Sequence, residues 1–131
     1  MDTIDNAEFA NNLGHFFQTV AQQTGDFLHS NIDTLSRDRI DLLSDEQTRL
    51  ITYANTFFSL SDAVAFDGSD QYFKAVSAAT DQINQNLKTM KDVDKVINIT
   101  AGIISMASAI VSRNGGGILS SLQSVLKAAS A

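Results

Sequence analysis

Apolar residues recur along most of this chain in steps of three and four, the spacing that gathers side chains on one face of an α-helix. The first run is Phe9, Leu13, Phe16, Phe17 and Val20, and Phe27, Leu28, Ile32 and Leu35 continue its stripe. Asp5 or Asn6 stands where an N-cap is needed. Gly25 lies inside this stretch and costs about 1 kcal/mol against alanine in a helix interior, so a bend or break is expected there. Residues 36–43 read as the first connection, with room for one extra turn. Ser44 with Gln47 three residues later is a capping-box pattern. It predicts a second helix carrying Leu50, Ile51, Ala54, Phe57, Phe58, Val64 and Ala65.

Asp67, Gly68, Ser69 and Asp70 are turn chemistry. A third helix follows with Tyr72, Phe73, Val76, Ala79, Ile83, Leu87 and Met90. Asp92 either caps a fourth helix from Val93 to Arg113 or lies inside one continuous helix. Asn114 and Gly115 to Gly117 read as a break, with a short fifth helix over Ile118–Ala129. Helices two, three and four are each predicted at about 21 residues, roughly 32 Å long at 1.5 Å per residue. Equal lengths and short connections favour antiparallel neighbours. The expected fold is all-α: an antiparallel bundle of four main helices plus a short C-terminal helix, one domain over residues 1–131.

Composition supports that picture. Of 131 residues, 44% are hydrophobic and 18% charged, and there is no proline. That is enough apolar material for a core, without the residue that breaks helices. The eight phenylalanines fall between Phe9 and Phe73 and read as core knobs of the first three helices. With no cysteine, neither a disulfide framework nor a zinc–thiolate site is available. The acidic start Met1–Asp5 is no Sec-type signal peptide, so a cytoplasmic chain, or one exported without a cleaved signal, is expected.

Charge is unevenly placed. The net charge is −6, all 15 acids lie before residue 96, and only Arg113 and Lys127 are charged after it. There is no basic footprint for phosphates, so no nucleic acid is expected as a partner. Lys88, Lys91 and Lys95 share one face, but Asp92 and Asp94 stand among them, as on an ordinary solvated surface.

Candidate catalytic chemistry is sparse. On one straight helix His15 and His29 would be about 21 Å apart by rise per residue, too far to share a metal. A di-iron bundle needs inward glutamates and Glu-x-x-His pairs. Only Glu8 and Glu46 are glutamates, and neither has a histidine at that spacing. Counting back from Gly68, the calcium-loop positions fall on Ala63, Ala65 and Asp67, which fails the EF-hand pattern. The Gly115–Gly117 run has no lysine and no preceding strand, so it is not a phosphate loop. No serine sits in a Gly-x-Ser-x-Gly elbow. No catalytic residue, cofactor or metal is expected.

The segment from residue 96 to the end stands apart as an apolar, acid-free unit. Val96–Ser112 carries no charge. Val96, Ile97, Ile99, Ile103, Ile104, Met106, Ile110 and Val111 cover about half of a helical circumference. Asn98, Gly102, Ser105, Ala109 and Ser112 form an opposite stripe of small residues. Ala101, Ser105 and Ala109 follow the small-xxx-small spacing that lets helices approach closely. Two functional readings follow. In the first, the protein is a non-enzymatic helical interaction module for a protein partner or a second copy of itself. Its anchors would be Ile99, Ile103, Met106, Ile110, Ile118, Leu119, Leu122 and Leu126. In the second, an apolar hairpin over residues 96–126 inserts into a membrane, in a design resembling helical pore-forming toxins and secretion translocators. A spanning helix wants about 20 apolar residues, and Asn98 and Thr100 interrupt this one.

Overall fold

The computed structural model describes residues 6–59 and 69–130, and their backbone forms five helices. They are α1 (Asn6–Ser30), α2 (Arg37–Ser59), α3 (Ser69–Thr89), α4 (Val93–Val111) and α5 (Gly115–Ser130). Asp5 and the Asp67–Gly68 turn lie outside the described residues, while Ser69 and Asp70 already belong to α3.

α1 runs through Gly25 without a break. A Cβ there would come within 2.5 Å of the Gln47 amide nitrogen, so the glycine allows α1 and α2 to approach closely. The helix ends before Ile32 and Leu35, which lie in the turn rather than on the stripe. α2 starts eight residues earlier than the Ser44 capping pattern predicts. Its cap is Ser36, whose hydroxyl accepts from the Arg39 amide at 3.3 Å. Asp38 in the first turn suits the positive end of the helix. The added turns bring Leu43 onto the buried stripe with Glu46, Leu50, Ala54 and Phe57, and that packing sets the boundary.

α3 and α4 are separate helices. Asp92 is extended, and its carboxylate accepts from the Asp94 amide at 2.9 Å and the Lys95 amide at 3.4 Å. The break between α4 and α5 is Ser112–Asn114, not the glycine run. The Asn114 amide donates to Ala109 O at 2.9 Å and the Arg113 amide to Ile110 O at 3.1 Å. Arg113 takes φ 60°, completing a Schellman C-cap. Asn114 then caps α5 by accepting from the Gly117 amide at 3.0 Å. The glycines are helical, and two of them face close neighbours: a Cβ on Gly115 would run into Tyr72 of α3, and one on Gly117 would meet Ala109 at 3.1 Å.

α1 packs on α2, α2 on α4, α4 on α5, α5 on α3 and α3 on α1, closing a ring. Paired positions fix the directions. Arg39 meets Asp94 and Glu46 meets Thr100, so α2 and α4 run parallel. Phe9 meets Phe73 and Gln23 meets Asn84, so α1 and α3 are parallel. Gly102 faces Val125 and Ala109 faces Gly117, so α4 and α5 are antiparallel. Inside the ring, Phe17 stacks on Phe57 with centroids 5.3 Å apart and Phe9 on Phe73 at 3.9 Å. The all-α bundle expected from the sequence is present, with five substantial helices. Not every phenylalanine is a core knob: Phe58 is exposed at the edge and Phe27 is half-buried, while Phe66 lies outside the described residues.

Candidate functional site

The helical wheel of α4 divides cleanly. Ile99, Ile103, Met106 and Ile110 are fully buried, as is Ile118 on α5, and Leu122 is nearly so. Leu126 is half-buried against the same core. Seven of the eight apolar anchors named from the sequence therefore pack within the chain itself. In this fold only Leu119, at 37% exposure, is open to a partner. An amphipathic stripe marks the side a helix hides, but does not say whether its cover is the same chain or another.

The small residues also divide. Gly102 and Ala109, seven apart, are the close-packing positions: they face Val125 and Gly117 of α5. Ala101 and Ser105 point outward. They belong to an exposed face with Asn98, Ser108 and Val111 of α4 and Leu119, Ser120, Gln123 and Ser124 of α5. That face holds no acid, and its one charged side chain is Lys127, in the last turn of α5. Arg113 borders it at the turn.

The other unusual feature was not singled out from sequence. Glu46 is 5% exposed and sits in the seam between α2 and α4. The Thr100 hydroxyl donates to its Oε2 at 2.7 Å, and its Oε1 is buried with no hydrogen-bond partner among the described residues. Burial pushes the Glu46 carboxyl up, the Thr100 hydrogen bond pulls it down, and Asp45 and Arg49 act up and down in turn. A signal was present: Glu46 occupies a core position of the stripe Leu43, Leu50, Ala54 and Phe57.

Elsewhere the chemistry is thin. His15 is exposed and meets the Phe58 ring edge-on at 5.1 Å, and His29 is exposed at the end of α1. No group of three metal-ligating side chains converges among the described residues. A cleft of about 210 Å³ between α1 and α3 is floored by Phe27, Leu87 and Met90 and bordered by Asp26 and Lys88. A second, of about 180 Å³, lies between Leu13 and Val76. Both are below the usual 300–1,000 Å³ of ligand pockets. No protein-family model, curated protein or solved structure matches the chain.

Proposed function

We propose that the chain is a non-enzymatic helical interaction protein that binds a protein partner, or a second copy of itself, through its C-terminal helices α4 and α5. The supporting observation is the acid-free, charge-poor outer face of that hairpin, on a chain whose 15 acids all lie before residue 96. Interface cores are depleted in charge because charged groups are costly to desolvate, and on this face only Lys127, near the end of α5, is charged. Val111, at 45% exposure, and Leu119 supply apolar contact at its turn end, and Ala101 and Ser105 allow a close approach.

Sedimentation over a wide concentration range tests self-association, and a photo-crosslinking residue at Ser105 tests a different partner. The same residue at Thr52, exposed on α2, is the control. Adducts or self-association through Ser105 and not Thr52 are expected, and both should be abolished by Leu119→Asp with little change in stability. Equal labelling from both positions, or none from either in a chain that stays monomeric, would refute the reading.

A second reading rests on one observation. α4, Val93–Val111, is long and apolar enough to cross a membrane by length and composition. In that reading the α4–α5 hairpin, residues 96–126, leaves the bundle and inserts as a pore-forming or translocator-like element. Vesicle flotation with dye release at pH 7 and pH 4.5 separates the two: binding with release favours insertion, and neither favours a docking module.

A further inference from the structure

α4 is held along its length by α5 and only narrowly by α2. That narrow seam contains a buried acid. The Thr100 hydroxyl has one proton and three acceptors in reach: Glu46 Oε2 at 2.7 Å, Val96 O at 2.9 Å and Ile97 O at 3.0 Å. When Glu46 is ionised, that proton goes to Oε2. Oε1 then carries shared negative charge with no donor, in a seam whose flanking residues Leu43, Leu50, Val96 and Ile103 are buried and apolar. When Glu46 is protonated, its own hydroxyl can donate to Thr100 Oγ1, and the threonine proton turns to the Val96 carbonyl. The neutral pair leaves only a carbonyl oxygen without a donor, which costs far less than a bare carboxylate.

The surrounding charges do not cancel this one. On α2, Asp45 and Arg49 pair with each other at 3.1 Å. On α4, Asp94 pairs with Arg39 at 2.8 Å, Lys95 is the last charged side chain before Arg113, and no titratable group lies between them. α1 brings Asp26 and His29 near the Gly25–Gln47 level, both exposed. α5 carries Lys127 two residues beyond Val125.

We propose that Glu46 and Thr100 form a proton-linked latch between α2 and α4, closed when Glu46 holds its proton and loosened when it releases that proton to solvent. The direction follows from linkage. A carboxyl held above its ordinary value in the folded state favours that state most while neutral. Its contribution is complete below the ordinary value of 4.5 and is lost as pH rises through the raised one. Acid therefore tightens this seam, and higher pH loosens it.

Glu8 and Glu46 are the only glutamates, so ¹³C-carboxyl labelling of glutamate gives two NMR signals, which Glu46→Gln assigns. Glu46 should titrate above the ordinary glutamate value of 4.5. Amide exchange in α4 between Ile99 and Ile103, corrected for intrinsic rates, should reveal more opening across that titration, by up to about tenfold per pH unit within the window. Exchange at Val20 of α1 should not follow, and the pH effect should vanish in Glu46→Gln. In Thr100→Val, which removes the donor, the Glu46 signal should titrate higher still. The latch is overturned if Glu46 titrates at or below its ordinary value, if Thr100→Val leaves its titration unmoved, or if α1 and α4 open together. It is equally overturned if Glu46→Gln keeps the pH dependence of the native chain.

Discussion

The contact between Gly102 and Val125 sets how closely α4 and α5 approach, and replacing Gly102 by alanine sets two effects against each other. A Cβ at position 102 would lie 2.6 Å from Val125 Cγ2, about 1 Å inside the usual carbon–carbon contact of roughly 3.5–4.0 Å. Val125 cannot easily move away: it is fully buried, and a β-branched residue in a helix has about one usable χ1 rotamer. The helices must separate instead, and overpacking of this kind costs about 1–3 kcal/mol. Against it, glycine is about 1 kcal/mol worse than alanine inside a helix. The clash should win, so Gly102→Ala should destabilise by about 1 kcal/mol, or roughly 3–5 °C in Tm for a chain of this size.

Removing the obstacle should reverse the sign. Val125→Ala alone should cost about 2 kcal/mol for the buried carbons lost. In that background the nearest remaining side-chain atom, Cβ of residue 125, stands at 3.7 Å, an ordinary contact. Gly102→Ala should then stabilise by about 1 kcal/mol, the helix-propensity gain alone. A double-mutant cycle read by urea unfolding should therefore show a coupling of about 1–3 kcal/mol. If Gly102→Ala stabilises both backgrounds equally, α4 and α5 do not approach as described, and the placement of the outer face falls with them.

Other outcomes follow from the same geometry. Ile103→Ala should lower stability by about 2–5 kcal/mol without altering oligomeric state in sedimentation, because Ile103 is covered by its own chain. A change in association at unchanged Tm would mean that Ile103 meets a partner. Arg113→Gly should raise stability in thermal unfolding by about 1 kcal/mol by relieving a left-handed non-glycine residue, and a loss would show that the arginine side chain stabilises the turn. Asp92→Ala should cost about 1 kcal/mol in the same assay through loss of the α4 cap. Glu46→Gln should weaken any vesicle binding at pH 7 in flotation while leaving association through the outer face unchanged, and the opposite pattern would separate the latch from release of the hairpin.

Helix existence and the buried stripes were legible in the sequence because both are periodic. Phe9 through Val20 and Ile99 through Ile110 occupy the core positions that their spacing implies. Boundaries were less legible where two local signals competed. Ser36 and Ser44 can both cap, and only the burial of Leu43 decides between them. The glycine run looked like a break because glycine is free in φ, yet the positive φ belongs to Arg113, and Gly115 and Gly117 sit inside α5 against Tyr72 and Ala109. Glu46 was hidden for a different reason: its partner Thr100 is 54 residues away, and pairing at that range cannot be read from spacing. The outer face of α4–α5 was half visible, since the small residues were evident, but which of them faced α5 depended on how α5 docks.

Docking and insertion place opposite demands on α4. A partner on the outer face needs α4 to stay seated, because Ala101, Ser105 and Leu119 share one surface only while Gly102 and Ala109 hold α5 in place. Insertion needs α4 to leave, which strips Ile99, Ile103, Met106 and Ile110 of their cover and parts Thr100 from Glu46. The cost of leaving is lowest when Glu46 is already ionised, because the closed seam is then least favourable. Acid acts on two parts of the molecule in opposing senses. It lowers the net negative charge of a chain that carries −6 near neutrality, which reduces repulsion from an anionic surface. It also protonates Glu46 and holds α4 in place. On the insertion reading, low pH would thus bring the bundle to a membrane closed, and release of the hairpin would require both the α2–α4 seam and the α3–α5 contact to part.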